Sequence, residues 1–366
     1  MRFSSLICLL LSIVLLAIGT ACFGFETDQY NLPPVPLADI GDEVSDHAVA
    51  TLRDVVAKVN AEITFRRSCV EGTQIEKKLC GRTGEDKKRL EYLLSDNAVA
   101  RELYKTLGDG TFPFTKVGKW MNTHKFRGQP ARYKTSYRKS IFILLPTNYL
   151  TISATVKMYG VQVGVDKIEH IFQQGYTYYK IYEDAVAKGM SRDDATKKAI
   201  KWGKLSERTF FGSLVSGVFS NSDLYANYAG LRFYQGLTKP VKIGDVTRPA
   251  VLTLKDGIWS FNEIGDMRQT FIRPFITEHL NEALNPSIFS FNLRFSIRRI
   301  IKKWACPQWA KAFPALTKAE LEATTVELKL WNGEDYGFTE SRKFVTIANT
   351  CLANVNSFVK QQRKSN

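Results

Sequence analysis

The sequence predicts a mainly α protein with a small β element (α+β), folded as a single compact helical body. Three observations predict it. Apolar residues recur at steps of three and four over most of the chain, extended-type runs are few and short, and no internal repeat or low-complexity tract interrupts them. The 366 residues, 44% apolar and 24% charged, suffice for one large or two ordinary domains. That balance excludes a disordered chain, a collagen-like repeat, a coiled-coil rod and a polytopic membrane protein.

Residues 1–24 read as a signal peptide. Met1-Arg2 precedes an apolar stretch from Leu6 to Ile18 and the small-residue segment Gly19-Thr20-Ala21-Cys22-Phe23-Gly24. The apolar stretch is shorter than the roughly 20 residues of a comfortable membrane span. Cleavage after Gly24 would start the chain at Phe25. A lipobox-like reading would instead anchor it through a lipid on Cys22, although Gly19 stands where a bacterial lipobox carries Leu, Val or Ile. Either route exports the chain to the periplasm or beyond; an uncut leader would be an anchor. Four cysteines then remain, Cys69, Cys80, Cys306 and Cys351, and an even count in an exported chain favours disulfides over metal binding. Of three possible pairings, the simplest is Cys69–Cys80 with Cys306–Cys351.

Residues 25–41 form an extended, proline-bearing strap. A helical lobe spans 42–110, opening on Val44, Ala48, Leu52, Val55, Val59 and Ile63 at helical spacing, with Asp42, Glu43 and Asp46 at the positive end of the helix dipole. A second helix is expected over Glu85–Leu107, stopping at Gly108-Asp109-Gly110. The main helical domain with minor strands takes 111–366. Residues 151–163 read as extended, broken by Gly160 and Gly164, and helices follow over Asp166–Lys188 and Ser191–Lys204, the latter with a serine cap. A Gly/Ser loop, Gly212 to Ser222, leads into a helix from Asp223, capped by Ser222 or Asp223. Short strands are expected at 241–243 and 250–254. Helices are expected near 276–284, 288–304, 317–328 and 339–359, with a capping box at Thr317-Lys318-Ala319-Glu320.

Candidate chemistry centres on Asp166, Glu169 and His170. Asp166 and His170 stand at i and i+4 on one helix face, so the acid can orient the imidazole or share a divalent metal with it. His170 would then act as general base or metal ligand, supported by Asp166 and Glu169, with Gln173 continuing the polar stripe. The competing reading makes Asp166 a helix cap and His170 an ordinary surface residue. Asn221, Asp223 and Asn227, at the loop-to-helix junction, are candidate binding residues, or simply part of a cap. Glu278, His279 and Glu282 offer paired carboxylates on a further helix, a pattern equally common on solvated faces.

The run Gly164-x-Asp166-Lys167-x-x-His170 resembles the short D-K-x-x-H motif of VanZ-like bacterial envelope proteins. More of the chain, including Phe25-Glu26-Thr27-Asp28-Gln29-Tyr30-Asn31-Leu32-Pro33 and the block from Asp223 to Leu231, resembles uncharacterised exported bacterial proteins of similar length. The resemblance implies an envelope address; it brings no activity, and the transmembrane helices of VanZ-like proteins are missing here.

The formal charge is +15, and it is local. No acid occurs from Gly110 to Val165, which carries nine basic residues, nor from Ala283 to Ala319, which carries seven. In the second stretch Arg294, Arg298, Arg299, Lys302 and Lys303 alternate with Phe291, Phe295, Ile297 and Ile301, as in a cationic amphipathic helix or a core helix with a solvated basic face. With export, the expected partner is an anionic envelope component (lipid headgroup, lipopolysaccharide or wall polymer), reached by peripheral membrane contact, and nucleic acid is disfavoured. Two functions follow as expectations: an envelope hydrolase centred on Asp166 and His170, or a non-catalytic protein docking its basic faces.

Overall fold

The computed structural model describes residues 26–73, 80, 83–110, 115–209, 212–214, 216–262 and 265–351. The leader, and with it the choice between cleavage and lipidation of Cys22, lies outside them. Glu26 to Asn31, polar by composition, enter the core directly, each at most 2% exposed. Burial obliges their polar groups to find partners. Glu26 accepts a backbone bond from Ser153, and the Tyr30 hydroxyl donates to the Val345 carbonyl at 2.9 Å.

Helix α1 (Gly41–Glu71) follows, its inner stripe Val44, Ala48, Leu52, Val55, Val59 and Ile63 buried as the spacing predicts. The expected helix over 85–107 is two helices, α2 (Thr83–Leu93) and α3 (Asp96–Leu107). Ser95 takes extended backbone between them, and its hydroxyl turns back to the Tyr92 carbonyl at 2.6 Å. Helix α4 (Lys116–Thr123) is capped by Thr115, whose hydroxyl accepts from the Gly118 N–H. A short α5 (Pro146–Leu150) precedes the hairpin of β1 (Thr155–Met158) and β2 (Val161–Gly164). Tyr159 and Gly160 both have positive φ at its two-residue turn, the geometry that matches strand twist. Asp39 holds that turn by accepting from the Tyr159 and Gly160 N–H groups.

The centre of the molecule is α6 (Val165–Ala187) against α8 (Asn221–Gly236), with α7 (Arg192–Arg208) beside them and β3 (Val218–Ser220) leading into α8. Glycines set the approach of α6 and α8. A Cβ on Gly175 would stand 2.4 Å from Gly230 Cα, and one on Gly230 would stand 2.2 Å from the Ile171 carbonyl oxygen. Ser191 caps α7 as expected, but α8 is capped by Ser220, whose hydroxyl accepts from the Asp223 N–H, rather than by Ser222 or Asp223.

Two antiparallel hairpins follow, β4 (Val241–Ile243) with β5 (Val246–Arg248) and β6 (Leu252–Lys255) with β7 (Ile258–Phe261). After α9 (Met267–Thr270) the expected helix over 276–284 is a 3-10 turn, Glu278–Leu280. The helix expected from 288 begins as β8 (Ser287–Phe289), which pairs with β3 and with β9 (Phe344–Val345) in a three-stranded sheet. Between these strands run α10 (Phe291–Ile300), a π turn (Ile301–Ala305), α11 (Cys306–Ala312) and α12 (Lys318–Glu327), the last with the expected capping box. Of the helix expected over 339–359, residues 339–346 are not helical and include β9, α13 (Ile347–Cys351) is helical, and 352–359 lie outside the described residues. Disulfides join Cys69 to Cys80 and Cys306 to Cys351. No helix among the described residues is long and apolar enough to cross a membrane.

Candidate functional site

The first turn of α6 is buried on every side. Val165, Asp166, Lys167 and Ile168 are each at most 1% exposed, so their polar atoms must be paired within the protein. Lys167 is the hub. Its Nζ pairs with Asp223, with Glu282 Oε1 at 2.5 Å and with Asp166 Oδ2 at 2.8 Å. These acids come from α6, α8 and the turn before β8, so three separate elements meet at one ammonium. The Asp166 Oδ1 accepts from the Thr27 hydroxyl of the strap. A Cβ on Gly164 would stand 2.1 Å from that oxygen, which is why the strand-to-helix junction is glycine.

Two further buried acids surround this hub. Glu26 accepts from the Ser216 hydroxyl at 2.8 Å, and Glu207 of α7 accepts from the Ser220 N–H at 3.0 Å. Glu282 accepts from Ser220 and Ser287 hydroxyls at 2.5 and 2.6 Å. Burial, and then the charge of Asp223, push the carboxyls of Glu26 and Glu207 well above the usual carboxylate range. Burial also raises Glu282, against the opposing pull of Lys167. Burial alone would push the Lys167 amine down, but Asp166, Asp223, Glu282 and Glu26 outweigh it and hold the amine well above the usual lysine range. Glu26, Asp223 and Glu282 approach one another closely enough to share a metal ion. The Lys167 ammonium, already bonded to two of them, supplies the positive charge such an ion would bring, so this donor set is filled by the chain itself.

His170 stands at the rim, its side chain 18% exposed. Its Nδ1 lies 2.9 Å from Asn227 Oδ1 and its Nε2 lies 3.8 Å from Asp223 Oδ2, the latter too long for a hydrogen bond. Asp166, His170, Asp223 and Asn227 thus gather in one neighbourhood. The expected direct pairing of Asp166 with His170 is replaced, however: both Asp166 oxygens are engaged, by Thr27 and Lys167. Asp166 is also not the cap of α6, since Gly164 holds that position. Asn221 is a structural lock rather than part of the cluster. Its amide donates to the Pro286 and Thr339 carbonyls and accepts from the Thr339 N–H. Gln173 is half-buried, and its backbone carbonyl accepts from the Thr177 hydroxyl; its side chain joins no other candidate among the described residues. Glu278 and His279 sit in their 3-10 turn, where His279 Nε2 lies 3.0 Å from the Leu330 carbonyl oxygen, apart from their expected partner Glu282.

Glu169 faces α4 instead of His170. Its Oε1 accepts from both the N–H and the hydroxyl of Thr115, at 3.0 and 2.9 Å. A Cβ on Gly118 would fall 1.9 Å from that oxygen, so the first turn of α4 makes room for the carboxyl by lacking a side chain. Burial pushes the Glu169 carboxyl up to about 7, only partly offset by the Thr115 bonds and assisted by Asp166.

Sequence reasoning missed Lys167 as the hub and missed Thr27, Glu26 and Glu207 altogether. One local signal was available: Ser220-Asn221-Ser222-Asp223 has the serine-to-acid spacing of a helix cap.

On α10 the buried stripe is Ile297, continued by Ile301 and Ala305 in the π turn. Phe291 and Phe295 are 69% and 60% exposed, and the Arg294 guanidinium lies over both rings. Arg299, Lys302 and Lys303 are exposed. Arg298 departs from the expected docking set: it turns inward and donates to the Phe344 carbonyl at 2.7 Å.

Fold and site define a class, a mainly α protein with small sheets built around a buried lysine–carboxylate cluster. Comparison of the chain with protein families, with characterised proteins and with solved structures finds no match to any of them.

Proposed function

We propose that this chain is an exported cell-envelope protein that docks on an anionic lipid surface, with the Lys167 cluster as its structural keystone. The observation that carries the reading is α10 with its following turn. Two exposed phenylalanines stand beside Arg294, Arg299, Lys302 and Lys303, in a stretch from Ala283 to Ala319 that holds no acid. Exposed aromatics that enter the acyl boundary, flanked by cations that meet phosphate headgroups, are the two components of interfacial binding. The two disulfides are compatible with an oxidising compartment. Burial of the Lys167 cluster argues for a structural role, because a substrate has no access to groups at most 4% exposed.

Co-sedimentation with vesicles tests the docking. The protein is expected to pellet with phosphatidylglycerol-containing vesicles and not with phosphatidylcholine alone, and the Phe291→Ser/Phe295→Ser variant is expected to stay in solution. Equal pelleting of variant and parent would remove α10 from the account.

A second reading, an envelope hydrolase, is favoured by one observation: His170, partly exposed, is held by Asn227 next to Asp223. Its test is complementation of a deletion strain by a folded His170→Ala variant. Full complementation ends that reading.

A further inference from the structure

The Glu169 side of α6 opens on a cleft of about 440 Å3, lined by Asn122, Arg132, Tyr133, Lys134, Ser153 and Glu169 among others. That volume lies in the range of small-molecule sites. We propose that this cleft binds a small organic anion, carrying phosphate or carboxylate, held by Arg132 and Lys134 and contacted at the inner end by the Glu169 carboxyl.

Neither cation is paired with an acid among the described residues, although the Arg132 guanidinium also lies over the Phe126 ring. Arg132 Nη1 donates to the Met121 and His124 carbonyls at 2.6 and 3.0 Å, which fixes the guanidinium while committing only one of its nitrogens. Lys134 is exposed, has no ion-pair partner among the described residues, and partial desolvation pushes its amine below the usual lysine range. The segment around them, Gly110 to Val165, holds no acid to neutralise either. An anion entering the cleft supplies what is missing, and Arg offers it the planar fork that suits oxyanions.

Glu169 gives the inner end its chemistry. Thr115 occupies Oε1, and Oε2 has no protein partner among the described residues, so the free oxygen belongs to the cleft. Asp166 on its own helix is the charge that acts on it, while Arg132, Tyr133 and Lys134 line the same cleft without pairing with it; Lys116 of α4 pairs with Asp109 instead. Protonated, Glu169 donates a hydrogen bond to an anion. Ionised, it repels one. Binding therefore weakens as the pH rises through about 7, the value to which burial raises this carboxyl. The backbone also couples the cleft to the sealed cluster, since the Ser153 hydroxyl accepts from the Asp166 N–H at 2.9 Å.

The site does not depend on the lipid-docking reading, and its test is separate. Isothermal titration of the disulfide-bonded protein uses two probes whose charge does not change between pH 6 and pH 8: sulfate, standing for a phosphate group, and tartrate, standing for a carboxylate ligand. At least one is expected to bind, more tightly at pH 6. Lys134→Met should weaken it about tenfold, with an unchanged melting temperature. Glu169→Gln should keep the binding and lose the difference between the two pH values. Lys198→Met, at an exposed lysine of α7 that does not line the cleft, should leave affinity unaltered. The proposal is overturned if neither probe binds, if Lys198→Met weakens binding as much as Lys134→Met, or if the pH dependence survives in Glu169→Gln. Which probe binds decides between phosphate and carboxylate.

Discussion

Lys167 and Glu169, two residues apart on α6, live in opposite surroundings. Lys167 is fully buried and paired with three carboxylates. Glu169 is held at one oxygen by an uncharged cap residue, with its other oxygen toward a cleft whose cations it does not pair with. The contrast separates two uses of buried charge. Where every charge meets an opposite one, removing a partner strands the rest, so the group belongs to the architecture. Where a carboxyl is desolvated without a counter-charge, its proton affinity rises into the working pH range, and the group is free for a ligand.

The largest effect expected is at the hub. Lys167→Met leaves buried carboxylates uncompensated and should cost about 3–5 kcal/mol in urea unfolding, or abolish folding outright. A loss below about 1 kcal/mol would mean that the acids rearrange or shed their charge without it. Next comes Gly118→Ala, which puts a methyl group onto the Glu169 carboxyl and should cost about 1–3 kcal/mol through displaced packing and lost Thr115 bonds. If it is neutral, the carboxyl is not seated as described.

Glu169→Gln should act in the other direction, and only at high pH. The folded protein keeps the Glu169 proton to about pH 7, whereas the unfolded chain releases it near the ordinary 4.5. The folded state thus binds more protons between these values, and stability falls as the pH rises across them. The glutamine variant escapes that loss and should be about 1–2 kcal/mol more stable than the parent at pH 8, with little difference at pH 5. The smallest effect is expected from His170→Ala, about 1 kcal/mol, because it removes one hydrogen bond at a partly exposed rim. A loss as large as that of Lys167→Met would place His170 inside the cluster.

Local signals explain what was legible in the sequence. The long periodic stretches of α1 and α6, the caps at Ser191 and Thr317, and the nearest-neighbour cysteine pairing all depend on residues close along the chain. The short strands β8 and β9 read as helix because their pairing is decided by tertiary partners, not by their few residues. Asp166, His170, Asp223 and Asn227 were legible as candidates because they stand at helix starts and helical spacings. Their true organiser was not. Lys167 is drawn inward by Asp223 and Glu282, and Asp166 is diverted from His170 by Thr27, 139 residues away. Nothing in the local pattern announces such contacts. Glu169 was named for proximity to His170, but one helical step turns it to a different wall.

The division of α6 into a structural face and a ligand face is tested most directly by urea unfolding of the parent, Lys167→Met and Glu169→Gln at pH 5 and pH 8. A large loss is expected for Lys167→Met at both pH values, and for Glu169→Gln near-parity at pH 5 with a gain at pH 8. Equal losses for the two variants, or a Glu169→Gln difference that does not change with pH, would contradict it.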